Sequence, residues 1–279
     1  MKRSLITALF AIVFALPAST QTTWGLRTSL GTEFKISKGF EAGFEAKYFQ
    51  ADNFKSTDRW SVGVSLSKRL YRNEAKTFNI KAGLGYKFLN VYNPWTTKYK
   101  GDESLNIPDG LQPQDYLDDS LSFNFINSYI DQRHRVTASL QASLELGRFK
   151  ISLRESYQFT HTDSVEYNKD KYRFSVKNKR WKAIETELDG KPASNKNVLR
   201  SRIGVDYNIP HWKYDPFVSY EMFNSLDSGF EIQKSRIQAG VDFSFNKKHN
   251  FEVAYMWQNQ HDDDEPAGSF ICIDYKYTF

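Results

Sequence analysis

Five histidines and a single cysteine limit the side-chain chemistry open to this 279-residue chain. Hydrolysis by a nucleophile would need a Ser with a His as its base within hydrogen-bond reach. His134 and His161 are the candidates for that base, while Asp118-Asp119 and His261-Asp262 offer acid and His-acid pairs in polar stretches. The run Asp262, Asp263, Asp264 and Glu265 could hold a divalent cation weakly through carboxylate oxygens, and it reads more simply as a solvated charge run. Glycine-rich phosphate loops, cysteine clusters and metal-spaced histidines are absent, so no cofactor, no metal and no catalytic residue is expected. The remaining candidates are six arginines, Arg133, Arg135, Arg154, Arg200, Arg202 and Arg236, which could select small solutes by charge. Their role depends on the elements that carry them.

Those elements have a period of two, the signature of strands with one apolar and one polar face. Phe40, Ala42, Phe44, Ala46 and Tyr48 alternate with Glu41, Gly43, Glu45 and Lys47. Trp60, Val62, Val64 and Leu66 alternate with Ser61, Gly63 and Ser65, and Phe78 to Phe88 repeats the pattern. It returns at Val136 to Leu146, Leu199 to Tyr207, Ile237 to Phe245, Phe251 to Trp257 and Phe270 to Phe279, with Pro216 to Met222 a weaker instance. Glu155 breaks it, falling on the apolar parity of Phe149 to Phe159. A bulge would account for that. Two long polar stretches, Val91 to Gln132 and Thr162 to Asn197, interrupt the series and read as loops, with the segment around Leu121 to Ile130 able to extend a strand beyond the membrane.

Composition fits an alternating membrane wall. Aromatic residues make up 16% of the chain, yet mean hydropathy is −0.61, as expected where only alternate residues meet lipid and aromatics gather at the interfaces. Lys2 and Arg3, the apolar run Leu5 to Leu16, Pro17 and the small residues Ala18, Ser19 and Thr20 have the layout of a secretory signal peptide. We expect a signal peptide over 1–20 and a barrel domain over 21–279. The formal net charge of +5 includes the leader's two cations and is too small to suggest nucleic acid. One cysteine, Cys272, excludes an intramolecular disulfide.

The closing FICIDYKYTF, with Tyr275, Tyr277 and a terminal Phe279, resembles the last strand of bacterial outer-membrane β-barrels. That resemblance implies recognition of these three residues by the barrel-assembly machinery. Together with RFKISLRESYQF and the strand starts at Arg133 to Arg135 and Arg200 to Arg202, it resembles a family of uncharacterised Gram-negative outer-membrane β-barrels. The implied surroundings are outer-membrane lipid and lipopolysaccharide. The family brings no catalytic residues. Against the outer-membrane hydrolases, no Ser stands at a matching distance from His134 or His161, and the acid pairs differ in spacing.

The expected fold is therefore all-β, a single up-and-down antiparallel transmembrane barrel with short periplasmic turns and long extracellular loops. About eleven alternating segments can be counted. Because bacterial single-chain barrels have even strand numbers, 12 strands are expected, with 10 the alternative; Thr22 to Ile36 alternates as a first strand, and its folding into the lumen, as part of Gln21 to Ile36, would explain an odd tally. The inward parity places Lys47, Arg59, Lys87, Arg133, Arg135, Arg200, Arg202 and Arg236 toward the outer mouth. Glu41, Glu145, Asp206, Asp242 and Glu252 fall toward the periplasm. A porin-like channel for small anionic or sugar-acid solutes follows. The competing readings are cross-strand ion pairs that fill a closed lumen and a partner-binding barrel that works through its loops.

Overall fold

The computed structural model describes residues 23–100, 122–175, 180–210, 212–260 and 266–279. The leader expected over 1–20, Asp118-Asp119 and His261 to Glu265 lie outside the described residues. The strands are β1 (Trp24–Ser37), β2 (Phe40–Ala51), β3 (Ser56–Arg72), β4 (Phe78–Asn93), β5 (Thr96–Lys100), β6 (Ser122–Ile126), β7 (Tyr129–Leu146) and β8 (Phe149–Thr162). They continue with β9 (Val165–Ser175), β10 (Arg180–Lys191), β11 (Ser194–Tyr207), β12 (Tyr214–Ser225), β13 (Ile232–Phe245), β14 (His249–Gln260) and β15 (Gly268–Thr278). The chain divides into two units, one of them built from residues 90–132 and 162–194.

In the larger unit, eleven described strands close into a barrel in the order β1-β15-β14-β13-β12-β11-β8-β7-β4-β3-β2. Consecutive strands in an up-and-down barrel alternate in direction, so an odd number makes the first and last parallel. β1 and β15 pair in that way, from Trp24 opposite Ser269 to Glu33 opposite Thr278. The count lies between the expected 12 and 10, because the evenness rule presupposes an antiparallel seam. The stretch read as a first strand over Thr22 to Ile36, with folding into the lumen as the alternative, is a wall strand: β1 is hydrogen-bonded to β2 on its other side.

Alternation decides which face meets what. Leu30, Val64, Leu84, Leu140, Leu153, Ile203, Val253 and Ile273 all point outward and are exposed. An apolar belt of this extent is unsupportable in water and natural in hydrocarbon. Rings gather beside the short turns, with Phe34 stacked on Phe279 at 4.3 Å, Phe243 on Phe251 at 4.9 Å and Phe149 beside Tyr207 at 4.8 Å. A second set, Trp24 with Tyr255 and Trp60 with Phe88, lies toward the opposite strand ends. Two aromatic girdles flanking an apolar band mark a transmembrane barrel, and the protein is an outer-membrane β-barrel. Gly39 (φ 83°) and Gly147 (φ 62°) form tight turns at one end, where side chains other than glycine would be strained.

Glu155 needs no bulge. The backbone bond from Asn208 to Arg148 and the contact of Tyr207 with Phe149 set the same strand offset that brings Ser201 to Glu155. The carboxylate stays on the outward face and accepts a 2.6 Å hydrogen bond from the Ser201 hydroxyl.

The second unit corrects the expectation of two plain loops. It carries a four-stranded sheet in the order β10-β9-β6-β5. On one face Phe123 stacks on Tyr172 at 4.8 Å and Trp95 on Phe125 at 5.5 Å. On the other, Lys169 reaches Glu187 at 2.5 Å and Asp189 at 2.7 Å, while Lys171 reaches Glu185 at 3.0 Å and Glu187 at 2.5 Å. These hydrogen bonds hold both lysines above their ordinary pKa and hold Glu187 and Asp189 below theirs. The alternation of aromatic and charged residues here resembles wall strands too little to be read from sequence, because both faces are half polar.

Candidate functional site, the charged lumen

Register brings the inward charges together. On one rung of the barrel, Arg202 of β11, Glu221 of β12, Arg236 of β13 and Gln258 of β14 stand side by side. The neighbouring rung places Arg200, Phe223 and Lys234 in line. Arg154 of β8 reaches in from the next strand. Glu221 accepts from Arg200 Nη2 at 2.8 Å and Arg154 Nη2 at 3.4 Å, with Arg236 Nη1 at 3.8 Å. Arg202 Nη2 donates instead to Ser219 at 3.1 Å, and Arg236 Nε donates to Gln258 at 2.6 Å. The Phe223 ring lies under three cations, with Lys234 Nζ at 4.4 Å, the Arg236 guanidinium at 4.6 Å and that of Arg200 at 4.8 Å. Ring faces attract cations most where water is excluded.

Glu221 is only 7% exposed and Gln258 1%, so these side chains are closely packed and the lumen is narrow here. Its packing continues through Phe217, Ala254, Met256, Phe270 and Cys272, which form a buried apolar cluster. The Arg27 guanidinium sits 4.3 Å over the Phe270 ring and 5.0 Å from that of Phe49. The arrangement concentrates positive charge: Arg154, Arg200, Arg202, Arg236 and Lys234 gather about one carboxylate.

Nearer the short turns the lumen widens into a cavity of about 850 Å³. Its basic lining comes from one arc, Lys81 and Lys87 of β4, Arg135 of β7, Lys150 and Arg154 of β8, and Arg200 of β11, except for Lys276 of β15, which is paired with Glu33. The acids come from the opposite arc: Glu41 and Glu45 of β2, Glu33 of β1, Asp274 of β15, Glu252 of β14 and Asp242 of β13. Between the arcs, β3 contributes only small or apolar lining residues, from Gly63 to Ser67. Across that gap Glu41 pairs with Lys81 and Glu45 with Lys87 at 3.0 Å, while Lys47 on Glu45's own strand reaches it at 2.7 Å. Lys150 meets Asp206 at 3.5 Å and Lys276 meets Glu33 at 3.0 Å. The expected sorting by depth, basic outside and acidic within, is thus replaced in the cavity by sorting across its width. Sequence parity gives the face of each residue, while the wall it stands on depends on how distant strands close.

All six arginines expected in the lumen have inward parity on wall strands. Arg154, Arg200 and Arg236 meet at Glu221, Arg202 lies opposite it in register, and Arg135 lines the cavity and donates to Thr160 at 3.1 Å. Arg133 is not among the cavity's lining residues. Glu221, Phe223 and Lys234 were absent from the sequence-based lumen set, although Phe217, Ser219 and Glu221 share a parity that Phe223 continues. His134 and His161 both face outward, hydrogen-bonded at Nδ1 to Tyr86 and Asn195, each at 2.7 Å. Among the described residues no three His, Cys, Asp or Glu side chains gather as metal ligands. The terminal aromatics form a rim: Tyr277 packs edge-on to Phe279 at 4.7 Å, and the Tyr275 hydroxyl meets His249 Nδ1 at 2.9 Å.

Among solved structures, the chain is similar to the β domain of the Bordetella autotransporter Brka, with 12% identity over 87% of this chain and 82% of that one and a TM-score of 0.42. It is also similar to OmpT, an outer membrane protein of Vibrio cholerae in its trimer form, with 10% identity over 90% and 93% of the two chains and a TM-score of 0.20. No curated protein matches the sequence. A family model described as "Protein of unknown function (DUF2490)" matches residues 24–267. With that match running through nearly the whole described barrel, the chain belongs to the DUF2490 family of proteins of unknown function.

Proposed function

We propose that the barrel is a narrow, porin-like channel for small anionic or sugar-acid solutes and is not an enzyme. The observation that carries this reading is the cationic excess around Glu221, where four arginines and Lys234 surround a single acid. Confined in a low-dielectric lumen, such an excess focuses a positive potential and favours anions at the constriction. Arg133, Arg135, Arg154, Arg200, Arg202 and Arg236 form the filter, and the cavity below receives what passes. The ion pairs at Glu221 moderate the field and leave Arg202, bonded to a neutral hydroxyl, as its most effective member. The outward setting of His134 and His161, each engaged with a neutral partner, favours a non-catalytic role. In biogenesis, Tyr275, Tyr277 and Phe279 serve as the signal read by the assembly machinery.

The four-stranded sheet of the second unit, with its stacked aromatic face, favours a second role in contacting a partner. Planar-bilayer recording tests the main reading. A salt gradient should give a reversal potential of the anion-selective sign, reduced by Arg135→Ser combined with Arg202→Ser. An absence of conductance, or cation preference, would refute it.

A further inference from the structure

Asp242, Glu252 and Asp274 stand directly opposite one another on β13, β14 and β15. Like charges facing each other across strands destabilise a sheet. No salt bridge reaches the three carboxylates among the described residues, and Lys150 acts on Asp242, and Arg202 and Lys47 on Glu252, only from farther away. Glu252 accepts a 2.5 Å bond from Gln238, and Asp274 a 2.5 Å bond from Ser29. A local rule broken with only neutral hydrogen bonds and distant cations to compensate points to a functional constraint. All three line the cavity, and Arg154 and Arg200 line its other wall.

We propose that this cavity binds a zwitterionic small solute, its cationic group against Asp242, Glu252 and Asp274 and its anionic group against Arg154 and Arg200. The inference rests on the channel reading and narrows it, from anionic solutes to acids that also carry an amino group. The cavity volume of about 850 Å³ suits a small molecule. Two opposed walls recognise charge separation, which neither a simple anion nor a simple cation possesses. The arginine excess at Glu221 would draw in the acid group, and the carboxylate rung would then fix the orientation.

The test compares γ-aminobutyrate, butyrate and butylammonium, three solutes of similar size. Liposomes carrying the full barrel should admit γ-aminobutyrate roughly fivefold faster than either of the others, the factor expected for one extra screened charge contact. Glu252→Gln with Asp274→Asn should remove that advantage, and relief of the repulsive rung should leave this variant at least as stable as the parent. Equal entry of all three solutes, preference for butylammonium, or an advantage that survives in the variant would overturn the inference. The salt reversal potential of the same preparation reads the channel proposal separately. Should the barrel prove non-conducting, titration of the folded barrel in detergent decides the matter. There γ-aminobutyrate must bind the parent and not the variant, and equal or absent binding overturns the inference.

Discussion

Glu221→Gln keeps the shape of the side chain and removes the one charge on which three arginines converge. Two unit charges 4 Å apart attract by about 4 kcal/mol at an effective dielectric of 20. Three such contacts at 2.8, 3.4 and 3.8 Å would give a far larger sum if desolvation did not oppose it. Removing one partner of a buried ion pair costs about 3 to 5 kcal/mol. The arginine side chains retain some contact with water, being 33% (Arg154), 21% (Arg200) and 15% (Arg236) exposed. The lower end of that range applies, and we expect a loss of about 3 kcal/mol. Urea unfolding of the barrel in lipid vesicles, followed by tryptophan fluorescence, measures it. The same variant should shift the bilayer reversal potential further toward anions. A midpoint within about 0.5 kcal/mol of the parent, the range of an ordinary surface substitution, would show that the arginines do not depend on Glu221 and would refute the cluster as described.

Gly25→Val tests the parallel seam. A Cβ at Gly25 would come within 2.4 Å of the Gln50 carbonyl and 2.6 Å of the Phe270 ring, so the variant should lose roughly 1 to 3 kcal/mol by overpacking, read by the same unfolding assay. The lysine–carboxylate ladder of the second unit predicts a pH window. The depressed carboxyls of Glu187 and Asp189 contribute above the usual carboxylate pKa values of 4.5 and 3.8 and lose that contribution as pH falls through their lower folded values. The raised lysines contribute fully below 10.5 and lose it as pH rises through their higher folded values. The protection of β9 and β10 amides against exchange, taken relative to the intrinsic rate at each pH, should therefore be greatest between these limits and smaller in more acidic or more alkaline solution.

Most of the barrel was legible because a wall strand has to satisfy lipid on one side and water on the other, which forces a period of two. Phe44 and Glu45, or Val253 and Glu252, disclose their faces to anyone counting in twos. Strand number was less accessible, since parity along one strand says nothing about whether the ends meet parallel or antiparallel. The β5, β9 and β10 strands were read as loops, and only the stretch holding β6 as one where a strand could extend, because Thr96–Lys100 and Val165–Ser175 carry polar residues on both faces. The inward facing of the six arginines was legible from parity alone. Glu221, Phe223 and Lys234 were missed because Pro216 blurs the start of β12, and because the apolar alternation of β13 becomes clear only from Ile237. That Asp242, Glu252 and Asp274 form one rung depends on register between strands, which the sequence of any one strand does not encode.

The apolar face of the closed sheet meets hydrocarbon. Val253 lies on that face between Val241 and Ile273 and is 43% exposed, well inside β14. Val253→Arg, measured by reversible unfolding in lipid vesicles, should cost about 2 to 4 kcal/mol. Unchanged stability would place Val253 in water and contradict the membrane barrel.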